Sequence, residues 1–152
     1  MKLEVHIDPA LAETRVEVYA PARTPEVDAL LDRLAADDAP LLGFREDGAA
    51  VPLDLVTVLR FYGEDKDVRV QTADSVYTVR ERLYELERRL AGRPFARVSH
   101  SEIVNLKRVT ALDLRLTGTI RMTLTGGVTV YVSRRYVKKI KQTLNLERRR
   151  MG

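Results

Sequence analysis

Phe95-Ala96-Arg97-Val98-Ser99-His100-Ser101-Glu102-Ile103-Val104-Asn105-Leu106 is the stretch on which the reading of this chain turns. With the residues up to Val109 it is the densest and least periodic part of the sequence. Ile103 and Val104 read as core. Asn105, held inside an apolar segment, reads as a side chain that satisfies backbone groups internally. Ser99 and Ser101 carry small hydroxyls suited to capping a short turn or to meeting an anion.

Upstream, Arg80 to Leu90 predicts a helix with Leu83, Leu86 and Leu90 on one face, closed by a C-cap at Gly92 and by Pro94. Before it, Val68 to Gln71 and Val76 to Val79 alternate as a β-hairpin, and Leu53 to Tyr62 reads as a buried strand entered through Pro52. Gly63 to Asp67 is a polar turn. Downstream, Leu112–Leu116, Ile120–Leu124 and Val128–Val132 predict an antiparallel meander. Arg135 to Leu146 predicts a basic helix with Tyr136, Ile140 and Leu144 on its apolar face, followed by a basic tail.

The first third reads differently. Leu3, Val5 and Ile7 alternate with Lys2, Glu4 and His6, and Val16 and Val18 alternate with Arg15 and Glu17, so two strands are expected, at 2–7 and 14–19. Thr24 is an N-cap with Pro25 at the first helical position, and a helix is expected to about Ala36. A short strand at Leu41 to Phe44 and a tight turn at Asp47-Gly48 follow. The expected organisation is a small acidic N-terminal ββαβ lobe at 1–50, a main domain at 51–146 and a basic tail at 147–152.

Charge divides the chain in the same way. Residues 1–54 hold 5 Lys/Arg and 12 Asp/Glu, a net of −7, whereas residues 55–152 hold 21 and 10, a net of +11. The basic part carries the electrostatic footprint of a phosphate-backbone binder, although a solvated basic surface would look the same. Cysteine is absent, so no disulfide, thiolate metal site or thiol nucleophile exists. The longest apolar runs fall far short of a bilayer span, and the acidic N-terminus is no signal peptide, so the cytoplasm is the expected compartment. His6 and His100 lack metal-site spacing, and neither a nucleophile elbow nor a phosphate-cradling glycine loop is present. No enzyme, cofactor, metal or small-molecule substrate is expected.

The quoted stretch resembles the central signature of the LytTR DNA-binding family, in which an aromatic, an Arg, a polar pair and a Ser precede an aliphatic-Val-Asn end. Val132-Ser133-Arg134-Arg135-Tyr136-Val137-Lys138-Lys139-Ile140 resembles the family's second signature. The likeness covers roughly residues 50–146. It implies a mainly β (α+β) fold, a stack of small antiparallel sheets that reaches duplex DNA with loops at one edge. It further implies sequence-specific binding and transcription regulation, with two protomers on paired direct repeats, a homodimer at least on DNA. Small regulators of this architecture often work beside a membrane protein, which the resemblance adds as a second expected partner.

Carried over by position, three loop residues would reach bases: one in the Lys66-Asp67-Val68 turn, placed on Lys66, then His100 and Arg135. Asp67 and Val68 depart from a donor role, His100 stands where Arg, Lys or Asn is frequent, and Glu102 replaces a common aromatic. The Arg135 guanidinium fits guanine O6 and N7. Arg134 would point away from it if the strand continued. Arg97 is either a phosphate contact or the partner of an acid such as Glu87. Ser99, Ser101, Lys138 and Lys139 are candidate phosphate contacts, and a solvated helix face is the plain reading of the two lysines. Two other readings compete: a protein-interaction module that has lost DNA readout, and a single-strand binder, for which aromatics at 6% and the absence of Trp leave few stacking platforms.

Overall fold

The computed structural model describes residues 1–36 and 40–146, with the backbone alone for Ala35 and Ala36. The basic tail expected over 147–152 lies outside the described residues. The elements are α1 (Pro25–Ala36), β1 (Leu42–Phe44), β2 (Ala50–Pro52), β3 (Val58–Glu64), β4 (Asp67–Thr72), β5 (Val76–Val79), α2 (Leu83–Arg89), β6 (Phe95–Ser99), β7 (Glu102–Asn105), β8 (Val109–Asp113), β9 (Ile120–Leu124), β10 (Val128–Val132) and α3 (Arg134–Thr143). A seven-stranded sheet runs in the order β2-β1-β5-β4-β3-β7-β6, and a three-stranded one runs β10-β9-β8. Every strand pairing is antiparallel.

Two apolar cores share the large sheet, and β7 is their seam. Successive side chains of a strand face opposite ways. Ile103 therefore joins Phe61, Val70, Val79, Leu86 and Leu90 beneath α2, while Val104 joins Leu59, Val98, Ile120, Met122, Leu124, Val130, Val132 and Ile140 beneath the small sheet and α3. In β3 the register shifts between Val58 and Arg60, and this bulge sends Val58 to one core and Leu59 to the other. Each fully buried Leu, Ile or Phe contributes about 1.5–3 kcal/mol, so both cores are needed to hold this small domain. The Phe61 and Phe95 rings meet with centroids 5.9 Å apart.

Three short 3-10 turns, Leu55–Thr57, Leu106–Arg108 and Thr125–Gly127, each run straight into a strand that begins with Val. Asp54 and Asn105 cap the first two by accepting hydrogen bonds from Val56 N (3.1 Å) and Lys107 N (3.0 Å). Asn105 is buried, and its Nδ2 donates to the carbonyls of Val58 (2.8 Å) and Leu55 (3.4 Å), which is the internal role its sequence position suggests. The Arg108 guanidinium closes the same corner on the Val56 carbonyl.

Several expected boundaries move. Leu53–Tyr62 is not one strand, because the Asp54 cap and the Thr57 hydroxyl bond to Asp54 O (2.7 Å) wind its first half into a 3-10 turn. The helix expected from Arg80 starts at Leu83, where the Glu85 carboxylate accepts from Arg82 N at 3.0 Å. The first meander strand lies at Val109–Asp113 rather than Leu112–Leu116, since Leu114 and Leu116 are exposed loop residues. α3 ends at Thr143 instead of Leu146, because Asn145 adopts a left-handed conformation (φ 59°) and Leu146 N bonds back to Lys141 O at 2.7 Å. β1 and β2 are joined by the expected turn, with Gly48 at φ 90°, and β1 pairs with β5 inside the large sheet. The two strands expected at 2–7 and 14–19 are not made: both segments have no assigned secondary structure and pair with no strand among the described residues. α1 forms where expected.

Candidate nucleic-acid interface

Three loops meet along one edge, and main-chain hydrogen bonds hold them side by side. The first is the β3–β4 turn, closed by the Glu64–Asp67 pair, with Asp65 left-handed at φ 56° and Lys66 exposed. The second is the β6–β7 turn at His100-Ser101. Gly63 N donates to Ser101 O at 2.8 Å and so joins the first turn to the second. The third is the β10–α3 junction, where Ser133 N donates to Val98 O at 2.8 Å. One short edge therefore carries all three positions that the resemblance selects.

Arg97 holds the second turn. Its side chain is 12% exposed and donates to Ser99 O (2.8 Å), to His100 O (2.5 Å) and to Glu87 Oε1 (3.0 Å). The ion pair with Glu87, one of its two sequence readings, is present. A register shift between Arg97 and Ser99 bulges β6 at the same point. Ser99 is half-buried, and its hydroxyl accepts from Ser101 N at 3.2 Å and lies 3.5 Å from the Ser101 hydroxyl. The result is a turn in which the carbonyls of Ser99, His100 and Ser101 all accept hydrogen bonds and the His100 imidazole is exposed.

At the third loop the alternation expected for Arg134 and Arg135 does not apply. Both sit in the first turn of α3, exposed, about 100° apart rather than opposite. The Arg134 guanidinium lies against Gly118, whose φ is 75°: a Cβ there would come within 3.1 Å of Nε. Arg135 is freer, with its Cζ 6.0 Å from the Tyr136 ring centroid. Lys138 and Lys139 are exposed three and four residues further on, hence on the same side of the helix as Arg135, while Tyr136, Val137 and Ile140 pack into the core.

Ion pairing separates the basic residues without singling out this edge, since Arg45, Arg80, Arg88 and Lys107 also have no acidic partner within 4.0 Å among the described residues. Arg60, Arg69, Arg97, Arg115 and Arg121 are matched with Glu102, Glu64, Glu87 and, for the last two, Asp113. The hydrogen bonds from Arg115 hold the Asp113 carboxyl well below the usual carboxylate range. Lys66, Arg134, Arg135, Lys138 and Lys139 have no acidic partner within 4.0 Å among the described residues, and all five belong to this edge. Sequence reasoning missed the neighbouring Arg60 cluster. Arg60 donates to Glu102 Oε2 and to Gln71 Oε1, both at 2.7 Å, and stacks 4.3 Å over the Tyr62 ring. Glu102 was visible as a departure from the signature, but its partner lies 42 residues away in sequence.

Stacked antiparallel sheets with exposed cations along one edge are the architecture of a DNA-binding module, and the sequence pattern bears that class out. The sequence pattern of the LytTr DNA-binding domain family matches residues 48–145, and the chain belongs to that family. Relatives from Staphylococcus aureus strains MSSA476 and MW2, described as uncharacterised HTH-type transcriptional regulators, are 32% identical over 148 residues, covering 96% of this chain and 99% of theirs. A LytTr DNA-binding domain from Bacillus cereus superposes with a TM-score of 0.66 at 24% identity, over 70% of this chain and 96% of that one, and shares the fold. Among the described residues no helix is long and apolar enough to cross a membrane.

Proposed function

We propose that this protein regulates transcription by binding duplex DNA sequence-specifically, with Lys66, His100 and Arg135 presented to bases in successive major grooves. Ser99, Ser101, Arg134, Lys138 and Lys139 meet phosphates on either side. Arg97 acts from behind, fixing the turn that carries His100. Two protomers occupy paired direct repeats as a homodimer on DNA. The observation that carries this reading is the union of three exposed donor residues on one hydrogen-bonded edge, with unpaired cations beside them. Phosphate contacts supply affinity that falls steeply with salt, and base contacts supply sequence preference.

One observation favours a second reading, a protein-interaction module on the same fold: Glu64, Asp65 and Asp67 surround Lys66 in the first loop. Selection of bound sequences from a random duplex pool, with the full chain and with Arg135→Ala, separates the two. Enrichment of a repeated motif that Arg135→Ala loses supports the regulator. No enrichment at low salt overturns it and leaves the interaction module.

A further inference from the structure

The described residues before α1 have the two faces of a β-strand and no strand beside them. Leu3, Val5 and Ile7 are 84%, 73% and 86% exposed, and Val16 is 63% exposed. On the other side Glu4 lies 3.1 Å from Lys2 Nζ and 3.6 Å from His6 Nε2, while Glu17 lies 3.6 Å from Arg15 Nε and accepts from the Tyr19 hydroxyl at 2.9 Å. These contacts between residues two apart put the polar side chains together on one side of each segment. α1 continues the theme. Its stripe of Val27, Leu30, Leu31 and Leu34 enters neither apolar core, and a twelve-residue helix is marginal alone in water. Val27, Leu30 and Leu31 of that stripe are nonetheless half-buried, so it is the apolar face of the preceding segment that calls for a partner.

We propose that the partner is a second copy of this chain: residues 3–8 of one protomer pair antiparallel with residues 15–20 of the other, and reciprocally. This deepens the two-protomer reading above and rests on it. Charge excludes one register, and the apolar face decides between the other two. With Val5 opposite Val16, Glu4 would face Glu17 and His6 would face Arg15, which repels. With Val5 opposite Thr14, Glu4 would face Arg15 and His6 would face Glu13, but Val5 faces a hydroxyl and Ile7 only the small Ala12. With Val5 opposite Val18, Ile7 faces Val16 on the apolar side, while His6 faces Glu17, Asp8 faces Arg15 and Glu4 faces the Tyr19 hydroxyl on the polar side. Pro9 and Pro21, which cannot donate to a ladder, stand one residue beyond the paired segments. The same register within one chain would be a hairpin, and the two segments of one chain are unpaired in the structure. Each chain holds both halves of the match, so the pairing closes as a twofold, isologous dimer and stops there. The pairing orients the N-terminal segments and leaves the facing of the two DNA-binding domains to the operator.

The test uses the full chain without DNA. Because the protein has no cysteine, Val5→Cys and a tagged Val18→Cys variant can be mixed and mildly oxidised. The expected product is a disulfide-linked heterodimer, several-fold more abundant than from Glu4→Cys mixed with Val18→Cys, whose side chains lie on opposite faces. Wild type sediments as a dimer at micromolar concentration, Asp8→Arg lowers the dimer fraction at least tenfold, and Asp8→Arg with Arg15→Asp restores it. A monomeric wild type, or equal cross-linking in both mixtures, overturns the proposal. Val5→Lys keeps binding to a duplex with a single half-site. If it loses that binding the segment serves the DNA-binding domain and the proposal fails, whereas loss of half-site binding by wild type sinks only the DNA reading.

Discussion

Leu3, Val5 and Ile7 alternate with polar residues as regularly as Ile120, Met122 and Leu124 do, yet the first three stand in solvent and the second three are buried in β9 between two partner strands. Alternation states which side chains share a face. It does not state what covers that face. A strand exists only where its N–H and C=O groups find a second chain segment, and burial then follows. In residues 41–146 the chain supplies its own neighbours through short turns, whereas residues 1–20 pair with no strand among the described residues.

The sharpest break between the two regions is a cavity. Phe61→Ala empties the core beneath α2, and the expected loss is about 3–5 kcal/mol, on the order of 10 °C in Tm by calorimetry. Val5→Ala in the N-terminal segment is expected to stay within about 0.5 kcal/mol. Equal losses would mean that the segment is packed into the domain. Next in size is Asn105→Ala, which strands the Val58 carbonyl and the Lys107 N–H in a buried corner. About 1–3 kcal/mol of stability should go, read from the urea midpoint.

Arg135→Ala turns the comparison to function. A lost bidentate base contact weakens binding to the selected duplex by about 1–3 kcal/mol, roughly 5- to 150-fold, in a titration at fixed salt. The Tm should not change, since Arg135 touches neither core. An unchanged affinity would remove Arg135 from the reading edge. The smallest effect belongs to Asp113. Its carboxyl is held below the usual range, first by the hydrogen bonds from Arg115. A depressed carboxylate stabilises the fold above its unfolded value, near pH 4, and that contribution is lost as the pH falls further. The Tm advantage of wild type over Asp113→Asn should therefore shrink below about pH 4. The effect is small because the Arg115 side chain is 86% exposed. A constant difference across that range would contradict the assignment.

Much of the domain was legible from residues alone. The burial of Ile103 and Val104, the internal work of Asn105, the Asp47-Gly48 turn and the extent of α1 all follow from local chemistry, whereas the opposite facing of Ile103 and Val104 needed the structure. β6 and β7 were not separable inside Phe95–Val109, because strands of five and four residues joined across a bulge hardly complete two periods of alternation. Leu114 and Leu116 drew the first meander strand out of place, as exposed apolar residues in a loop do. At the reading edge, resemblance to the two family signatures supplied Lys66, His100 and Arg135, and Glu87 was nameable as a partner of Arg97. The bonds from Gly63 to Ser101 and from Ser133 to Val98 were not, since they join backbone groups that carry no residue code.

Those two bonds have an evolutionary consequence. They use main-chain atoms, which every residue but proline shares, so the frame of the three loops does not depend on the side chains at its tips. Lys66, His100 and Arg135 are exposed and belong to neither core. Each can be exchanged at little cost to folding. If these three residues read bases as proposed, a lineage built on this frame can drift from one operator to another by single codon changes at three sites, while selection for a folded domain watches different positions altogether.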